Sequence, residues 1–447
     1  MTETIIIVGR PNVGKSTLFN RLSRSKSALV DNYPGVTRDR ICTTASYKGT
    51  SFILVDTGGF DDLDTNPFAK GINEQVKSAI ADADRIIFMG DGQQGILPAD
   101  EEIAQVLRLS EKKVFLAVNK VDGREQEDMC TEFYRLGIQP IYPISAAHGY
   151  GIKQLMNDVL KGLENHKPHT VSPNQIRVSI IGKPNAGKSS IINRILGEDR
   201  MLVSNIPGTT RDTVDIPFIY RGKEYLLIDT AGIRKRSKVK NRIDTFSMIK
   251  AIKSLSRCHV AVIIIDASEG ITEQDLRICS YALEQNRGIV LVANKWDIVK
   301  EDLYRKGLFS NEMERKLRHL TFAPRIHVSA LTGEGVMKIF DRIDLVYRDF
   351  VTRIPTAAVN RALQEIVERH PHPRLAQGTL KFAYATEVKT SPPTFVLFVN
   401  RPDKVTASYQ RYLINQFRKY FNIPHAPVNI ILKKKGHQLN KQGKKTR

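Results

Sequence analysis

The chain has 447 residues, more than one ordinary core accommodates, so about three domains are expected. Its 41% hydrophobic share is that of a globular protein, and no apolar run reaches the length of a membrane span. Lys and Arg outnumber Asp and Glu by 68 to 47, a formal net charge of +21, which makes a polyanion the expected partner: nucleic acid before an anionic membrane, with a merely solvated basic surface as the bland alternative.

The N-terminus passes from Met1-Thr2-Glu3 straight into Ile5–Val8, too short and without the basic flank of a secretory signal. Apolar runs then predict strands at Thr4–Val8, Phe52–Val55, Arg85–Met89, Val114–Val118 and Ile141–Ile144. A second set follows at Val178–Ile181, Tyr225–Ile228, Val260–Ile265, Ile289–Val292 and Ile326–Val328. Strands apolar on both faces are buried and parallel, and alternation with helices predicts a doubly wound, mostly parallel α/β fold in each set. The four cysteines (Cys42, Cys130, Cys258, Cys279) are scattered without metal-ligand spacing, which fits structural roles in a reducing cytoplasm.

The two sets are copies. GRPNVGKST from Gly9 and GKPNAGKSS from Gly182 are offset by 173, as are GVTRDR from Gly35 and GTTRDT from Gly208, and DTGG from Asp56 and DTAG from Asp229. NKVD from Asn119 and NKWD from Asn294 are offset by 175, and SAA from Ser145 and SAL from Ser329 by 184. Five matches in one order define a repeated domain rather than a solenoid. The boundaries read as a first domain over 1–162, a linker over 163–175 (two prolines, few apolar residues), a second domain over 176–352, a third unit over 353–432 and a basic, disordered tail over 433–447.

Each motif has a mechanism. GxxxxGK[ST] uses glycines (Gly9, Gly14; Gly182, Gly187) so that backbone N–H groups close around phosphate, with a helix N-terminus behind. Lys15 and Lys188 then reach the β/γ-phosphates, and Ser16 and Ser189 place a hydroxyl on Mg²⁺, with Thr17 and Ser190 next in line. One such match could be a glycine-rich strand–helix turn; two at a fixed offset argue against it. Asp56 and Asp229 are placed to hold Mg²⁺ through water, Gly59 and Gly232 to offer an N–H to the γ-phosphate, and Thr37 and Thr210 to contact both from a loop released on hydrolysis. Lys15, Thr37, Lys188 and Thr210 are the candidate catalytic residues.

NKxD selects the base. The carboxylates of Asp122 and Asp297 accept from guanine N1–H and N2–H₂; adenine would leave them unpaired. Asn119 and Asn294 brace the loop, the stems of Lys120 and Lys295 lie over the base, and Ser145-Ala146 and Ser329-Ala330 are expected to offer a backbone N–H to guanine O6.

This residue set resembles Era-like GTPases, and two such domains followed by a KH-like α/β unit resemble, over essentially the whole chain, the tandem GTPases called Der or EngA. The resemblance implies a cytoplasmic GTP/GDP switch that hydrolyses GTP and acts in assembly of the large ribosomal subunit through its rRNA. Where other GTPases carry a water-orienting glutamine after DxxG, this chain has Phe60 and Ile233, which cannot do so. The resemblance offers K⁺ at Asn12 and Asn185 as the activating charge, against the simpler reading that both only shape their loops. A nucleotide-gated RNA scaffold and a tRNA-modification GTPase are the alternatives; the latter lacks its extra chemistry domain and C-terminal cysteine motif here. No lipidation signal occurs, so stable membrane association is not expected, and the free chain is expected to be monomeric.

Charge concentrates at the C-terminus. From Arg353 onward there are 18 Lys+Arg and 4 Asp+Glu, a net +14, and the last fifteen residues carry seven positive charges and no acid. The third unit reads helix (Thr356–His370), strand (Thr379–Thr386), turn at Pro392-Pro393, strand (Phe395–Val399), helix (Val405–Phe421) and strand (Val428–Leu432). Its glycines (Gly378, Gly436, Gly443) form no GXXG, so the usual KH clamp is absent, which points to docking by the unit and phosphate contacts by the tail. A second cluster, IRKRSKVKNR from Ile233, follows DTAG directly, where the first copy has the acidic FDDLDTNPF from Phe60. Arg234, Lys235, Arg236, Lys433, Lys434 and Lys435 are therefore the candidate RNA contacts.

Overall fold

The computed structural model describes residues 3–23, 42–57, 80–81, 83–162, 175–197, 202–203, 215–229, 244–372 and 379–434. Thr37, Gly59, Phe60, Thr210, Gly232, Ile233, Arg234, Lys235, Arg236 and Lys435 lie outside them. The chain forms two compact units, one of residues 1–189, 196–258 and 272–285, the other of 190–195, 259–271 and 286–447.

In the first repeat, β1 (Thr4–Val8), β2 (Cys42–Tyr47), β3 (Thr50–Asp56), β4 (Arg85–Asp91), β5 (Lys113–Asn119) and β6 (Ile141–Pro143) form a sheet in the order β2-β3-β1-β4-β5-β6. The β3–β1, β1–β4, β4–β5 and β5–β6 pairs are parallel. All five residues of β1 and all seven of β4 are buried, as strands covered on both faces must be. Helices α1 (Lys15–Ser23), α2 (Pro98–Arg108) and α3 (Ile152–Val159) belong to this repeat. Phe19 of α1 and Leu155 and Met156 of α3 share one core cluster with Ile5, Leu54 and Ala117.

The edge strand β2 had no place among the predicted strands. CTTASY has no apolar run, and β2 pairs antiparallel with β3 across a two-residue turn. Its signal is the turn itself: Lys48 and Gly49 have φ of 48° and 88°, the left-handed pair that tight hairpins demand. The second repeat does the same at Arg221 and Gly222, with φ of 47° and 75°.

There, β7 (Ile176–Gly182) pairs parallel with β10 (Lys223–Ile228), and β9 (Ile216–Tyr220) runs antiparallel to β10 and to β8 (Leu202–Val203). In the second unit, β11 (Val260–Asp266), β12 (Gly288–Asn294) and β13 (Arg325–His327) are consecutive parallel neighbours. The helices of this repeat are α4 (Lys188–Leu196), α5 (Asp244–Arg257), α6 (Glu273–Glu284), α7 (Trp296–Val299), α8 (Leu303–Lys316) and α9 (Lys338–Val351).

The third unit consists of α10 (Thr356–Arg369), β14 (Phe382–Thr390), β15 (Pro393–Val399), α11 (Ala407–Tyr420) and β16 (Asn429–Lys434). β15 lies between antiparallel β14 and parallel β16. Leu363 and Ile366 of α10, Phe395 and Leu397 of β15, Leu413 and Phe417 of α11 and Ile430 of β16 make one core. Asn360 of α10 closes the outer edge of β14, accepting from the Ala385 N–H (2.8 Å) and donating to its carbonyl (2.9 Å). One prediction needs correction: Lys433 and Lys434 lie in β16, paired with Phe398 and Val399, not in a disordered tail. Charge on the side chains does not hinder a backbone ladder at a sheet edge, where lysine is common.

Candidate functional site

In the first repeat the motifs converge on the C-terminal ends of β1, β3 and β5. Asn119, at the end of β5, joins three of them. Its Nδ2 donates to the Val13 carbonyl in the GxxxxGK loop (2.7 Å), and its Oδ1 accepts from the Ala146 N–H of the SAA loop (2.8 Å). Gly14 lets the loop pass this close: its φ is 97°, and a Cβ there would sit 2.3 Å from Asn119 Nδ2. Asn12 is also left-handed, at φ 66°. Lys15 is buried, with Nζ donating to the carbonyls of Gly9 (2.7 Å) and Arg10 (2.8 Å). Ser16 Oγ donates to Asp56 Oδ2 at 2.7 Å. A hydroxyl and a carboxylate held this close beside the cradle are hard oxygen donors that fit Mg²⁺. Thr17 is exposed on α1.

The Ala146 N–H donates to Asn119 Oδ1, and the Ala330 N–H donates likewise to Asn294 Oδ1 at 3.0 Å, so each amide ties its loop to the base loop. Ser145 and Ser329 cap these loops, their hydroxyls accepting from the His148 and Thr332 N–H groups.

Sequence reasoning missed a set of buried aspartates. Lys120 and Lys295, both left-handed (φ 69° and 59°), do not hang free: each ammonium lies 2.5 Å from a fully buried carboxylate, Asp91 and Asp266. Burial pushes the Asp266 carboxyl up, but hydrogen bonds from Lys295 and Ser268 and the Lys295 charge outweigh it and hold the group below its ordinary value. The lysines thereby present their stems at a fixed angle, which an unpaired side chain would not.

A second missed pair anchors the phosphate loop. Arg10 Nε meets Asp100 Oδ2 at 3.0 Å, with the Arg10 side chain 8% and the Asp100 side chain 0% exposed. The same carboxylate accepts the Leu97 N–H at the start of α2 (3.0 Å). In the second repeat Lys183 Nζ lies 4.0 Å from Asp275 Oδ2, and that oxygen accepts the N–H of Thr272, which caps α6. The signal was present: Asp91/Asp266 and Asp100/Asp275 are each 175 apart, the offset of NKxD.

The second phosphate loop has the same backbone turn as the first. Asn185 has φ 61°, and Lys188 Nζ donates to the Lys183 carbonyl (2.5 Å). Gly182 and Gly187 both have positive φ. Ser189 and Ser190 are exposed at the start of α4, and the Asp229 N–H donates to Asp215 Oδ1. In the other unit, Asp297 Oδ1 is buried with no hydrogen-bonding partner among the described residues, an acceptor of the kind that guanine N–H groups would satisfy. Asp122, its counterpart, is exposed. Among the described residues there is no group of three or more His, Cys, Asp or Glu side chains able to hold a metal ion, and no helix is long and apolar enough to cross a membrane.

Two phosphate loops with their base loops, on sheets of this topology, define a P-loop GTPase with tandem G domains and a C-terminal KH-like domain. A family model described as a 50S ribosome-binding GTPase matches residues 4–120 and 177–295, and one described as the KH-domain-like C-terminus of EngA bacterial GTPases matches 353–433. A protein named GTPase Der from Syntrophobacter fumaroxidans is 45% identical over 96% of this chain and 97% of its own length. Another of that name, from Geotalea daltonii, is 44% identical over 99% of this chain and 100% of its own length. The chain belongs to the Der family of GTPases, and its activity is the hydrolysis of GTP to GDP and phosphate.

Proposed function

We propose that this chain is a guanine-nucleotide switch that binds the large (50S) ribosomal subunit through its rRNA during assembly of that subunit. The observation that carries the nucleotide part is the Asn119 brace, which ties phosphate loop and base loop into one rigid receptor. The family description carries the ribosomal part, together with the +14 net charge beyond residue 353. In this reading the glycine-built loops cradle the phosphates, Lys15 and Lys188 leave their carbonyl partners for the β/γ oxygens, and Asp122 and Asp297 take the guanine edge. Ser16 and Asp56, with Thr37, and Ser189 and Asp229, with Thr210, would hold Mg²⁺, which neutralises charge developing on the phosphates. Arg234–Arg236 and the basic C-terminus from Lys433 through Lys435 would meet phosphates of the rRNA. Asn12 and Asn185 remain the K⁺ candidates, and turnover would then be faster in KCl than in NaCl; equal rates would leave them as loop-shaping residues. The switch acts in the cytoplasm, monomeric when free.

Three measurements test this. Asp297→Asn should weaken GDP binding at the second site by about 10²–10⁴, the worth of two hydrogen bonds to a charged acceptor, and improve xanthosine diphosphate, whose 2-oxo group accepts from an amide. An unchanged guanine preference refutes the base assignment. Co-sedimentation with 50S subunits should differ between GDP and a non-hydrolysable GTP analogue; no association in either state refutes the ribosomal role. If Lys15→Ala and Lys188→Ala chains still support subunit assembly, the protein is a scaffold rather than a switch.

A further inference from the structure

The three-stranded sheet of the third unit has two chemically different faces. One rests on α10 and α11 and carries Ala385, Leu397, Phe395 and Ile430 into the core. Side chains alternate along a strand, so the partners on the opposite face follow from the register. Tyr384 pairs with Phe398, and Phe398 with Lys433, making a row of Tyr, Phe and Lys across all three strands. The next row is Thr386, Val396 and Ile431. The Tyr384 and Phe398 rings are stacked, with centroids 4.2 Å apart and planes 18° apart. Such a pair is ordinary packing where a core covers it, but Tyr384 is 43% and Ile431 41% exposed.

Charge around this face has one sign. The three strands carry Lys389, Lys433 and Lys434 against a single acid, Glu387. Glu387 Oε2 accepts the Ile354 N–H, which ties that acid to the segment leading into α10. Lys433 stands next to the ring pair, and the sequence continuing from Lys434 is strongly basic. A protein partner of ordinary composition would need acidic groups to match; a single-stranded nucleic acid brings both phosphates and flat bases.

We propose that the exposed Tyr384–Phe398–Lys433 row of this face is a stacking platform for single-stranded RNA. A base continues the Tyr384–Phe398 stack while Lys433 takes the adjoining phosphate. The rings are already aligned, so little side-chain freedom is lost when a base is added, and every base has a π-face, so the platform is tolerant of sequence. It supplies base contacts that a unit without GXXG otherwise lacks. The inference rests on the RNA-binding reading above and names where unpaired bases sit.

The test is fluorescence anisotropy of the full chain with labelled 12-nucleotide oligouridylate and oligoadenylate RNA over a salt series, with GTP turnover and circular dichroism as controls for folding. Stacking and charge separate cleanly. Tyr384→Ala with Phe398→Ala should weaken binding about tenfold or more at every salt concentration and leave the salt slope unchanged. Tyr384→Phe should bind as the parent does. Lys433→Gln with Lys434→Gln should instead flatten the slope. Affinity unchanged in the double alanine variant, a change in slope alone, or no RNA binding by the parent overturns the platform. So does loss of 50S co-sedimentation with oligonucleotide binding intact, which would mark a protein-docking face, or a change of sedimentation showing a second copy on the sheet. Co-sedimentation of the parent with 50S subunits reports on the wider reading independently of all these arms.

Discussion

The buried pairs at the two phosphate loops make a matched experiment, because the repeats use different cations for one task. Replacing Asp100 with Ala leaves the Arg10 guanidinium without a counter-charge in a site where its side chain is 8% exposed, with only the neutral Gln94 Oε1 on Nη1 (2.7 Å) and no partner for Nη2 among the described residues. A guanidinium cannot shed its proton, so the whole penalty of an unpaired buried charge remains, about 3–5 kcal/mol. That is a large part of the roughly 5–15 kcal/mol that holds a domain together. Asp275→Ala removes a longer contact, Lys183 Nζ lying 4.0 Å from Asp275 Oδ2, at about 1–3 kcal/mol. Hydrogen exchange read by mass spectrometry resolves the repeats in the intact chain. Asp100→Ala should lower protection of β1 and β4 by roughly 10²–10³-fold, and Asp275→Ala should lower that of β7 by roughly tenfold. Arg10→Met combined with Asp100→Leu, which removes both charges, should restore most of the loss. Equal losses in the two repeats, or a double variant no better than Asp100→Ala, would refute the reasoning.

Trp296, the single tryptophan, stacks on His327 with centroids 3.8 Å apart and so reports on that ring. Burial, and then the Lys306 charge, hold the His327 pKa below its ordinary 6.5, and burial does the same to His319. The unfolded chain therefore takes up these protons first as pH falls below about 6.5, and stability of the second G domain should decline from there downward while being complete above. Trp296 fluorescence should show a transition below pH 6.5 that His327→Gln abolishes; a midpoint at or above 6.5 contradicts the assignment. Gly14→Ala should abolish nucleotide binding at the first site, through a Cβ 2.3 Å from Asn119 Nδ2 and a left-handed φ, while the second site still responds through Trp296; normal binding at both would show the loop to be more pliant than the packing implies. Burial pushes the Cys42 thiol up to about 12 and the Cys130 thiol to about 11, so neither should react with a disulfide reagent at pH 8 before unfolding.

The motifs could be read from sequence because their chemistry is local. A phosphate loop needs its glycines and lysine within eight residues, and a carboxylate that takes guanine needs its loop beside it. Repetition at offsets of 173 to 184 then removed chance as an explanation. Buried apolar strands were equally legible, since a strand covered on both faces must be apolar throughout, as β1 and β4 are. The edge strand β2 was not, because CTTASY, paired on one side only, leaves no apolar run to find.

What tertiary structure decided is which polar groups meet. Asp91 and Asp100 are unremarkable acids in the chain; only the fold buries them against Lys120 and Arg10, where low dielectric makes each partner obligatory. The Ala146 amide meets the side chain of Asn119, a contact that the motifs by themselves do not reveal. Lys433 and Lys434 looked like tail until the ladder with β15 claimed their backbone and set Lys433 beside a stacked aromatic pair. Sequence carries the identity of each group and its spacing along the chain; contacts between groups far apart in the chain, such as Arg10 and Asp100, exist only once the sheets have brought their ends together.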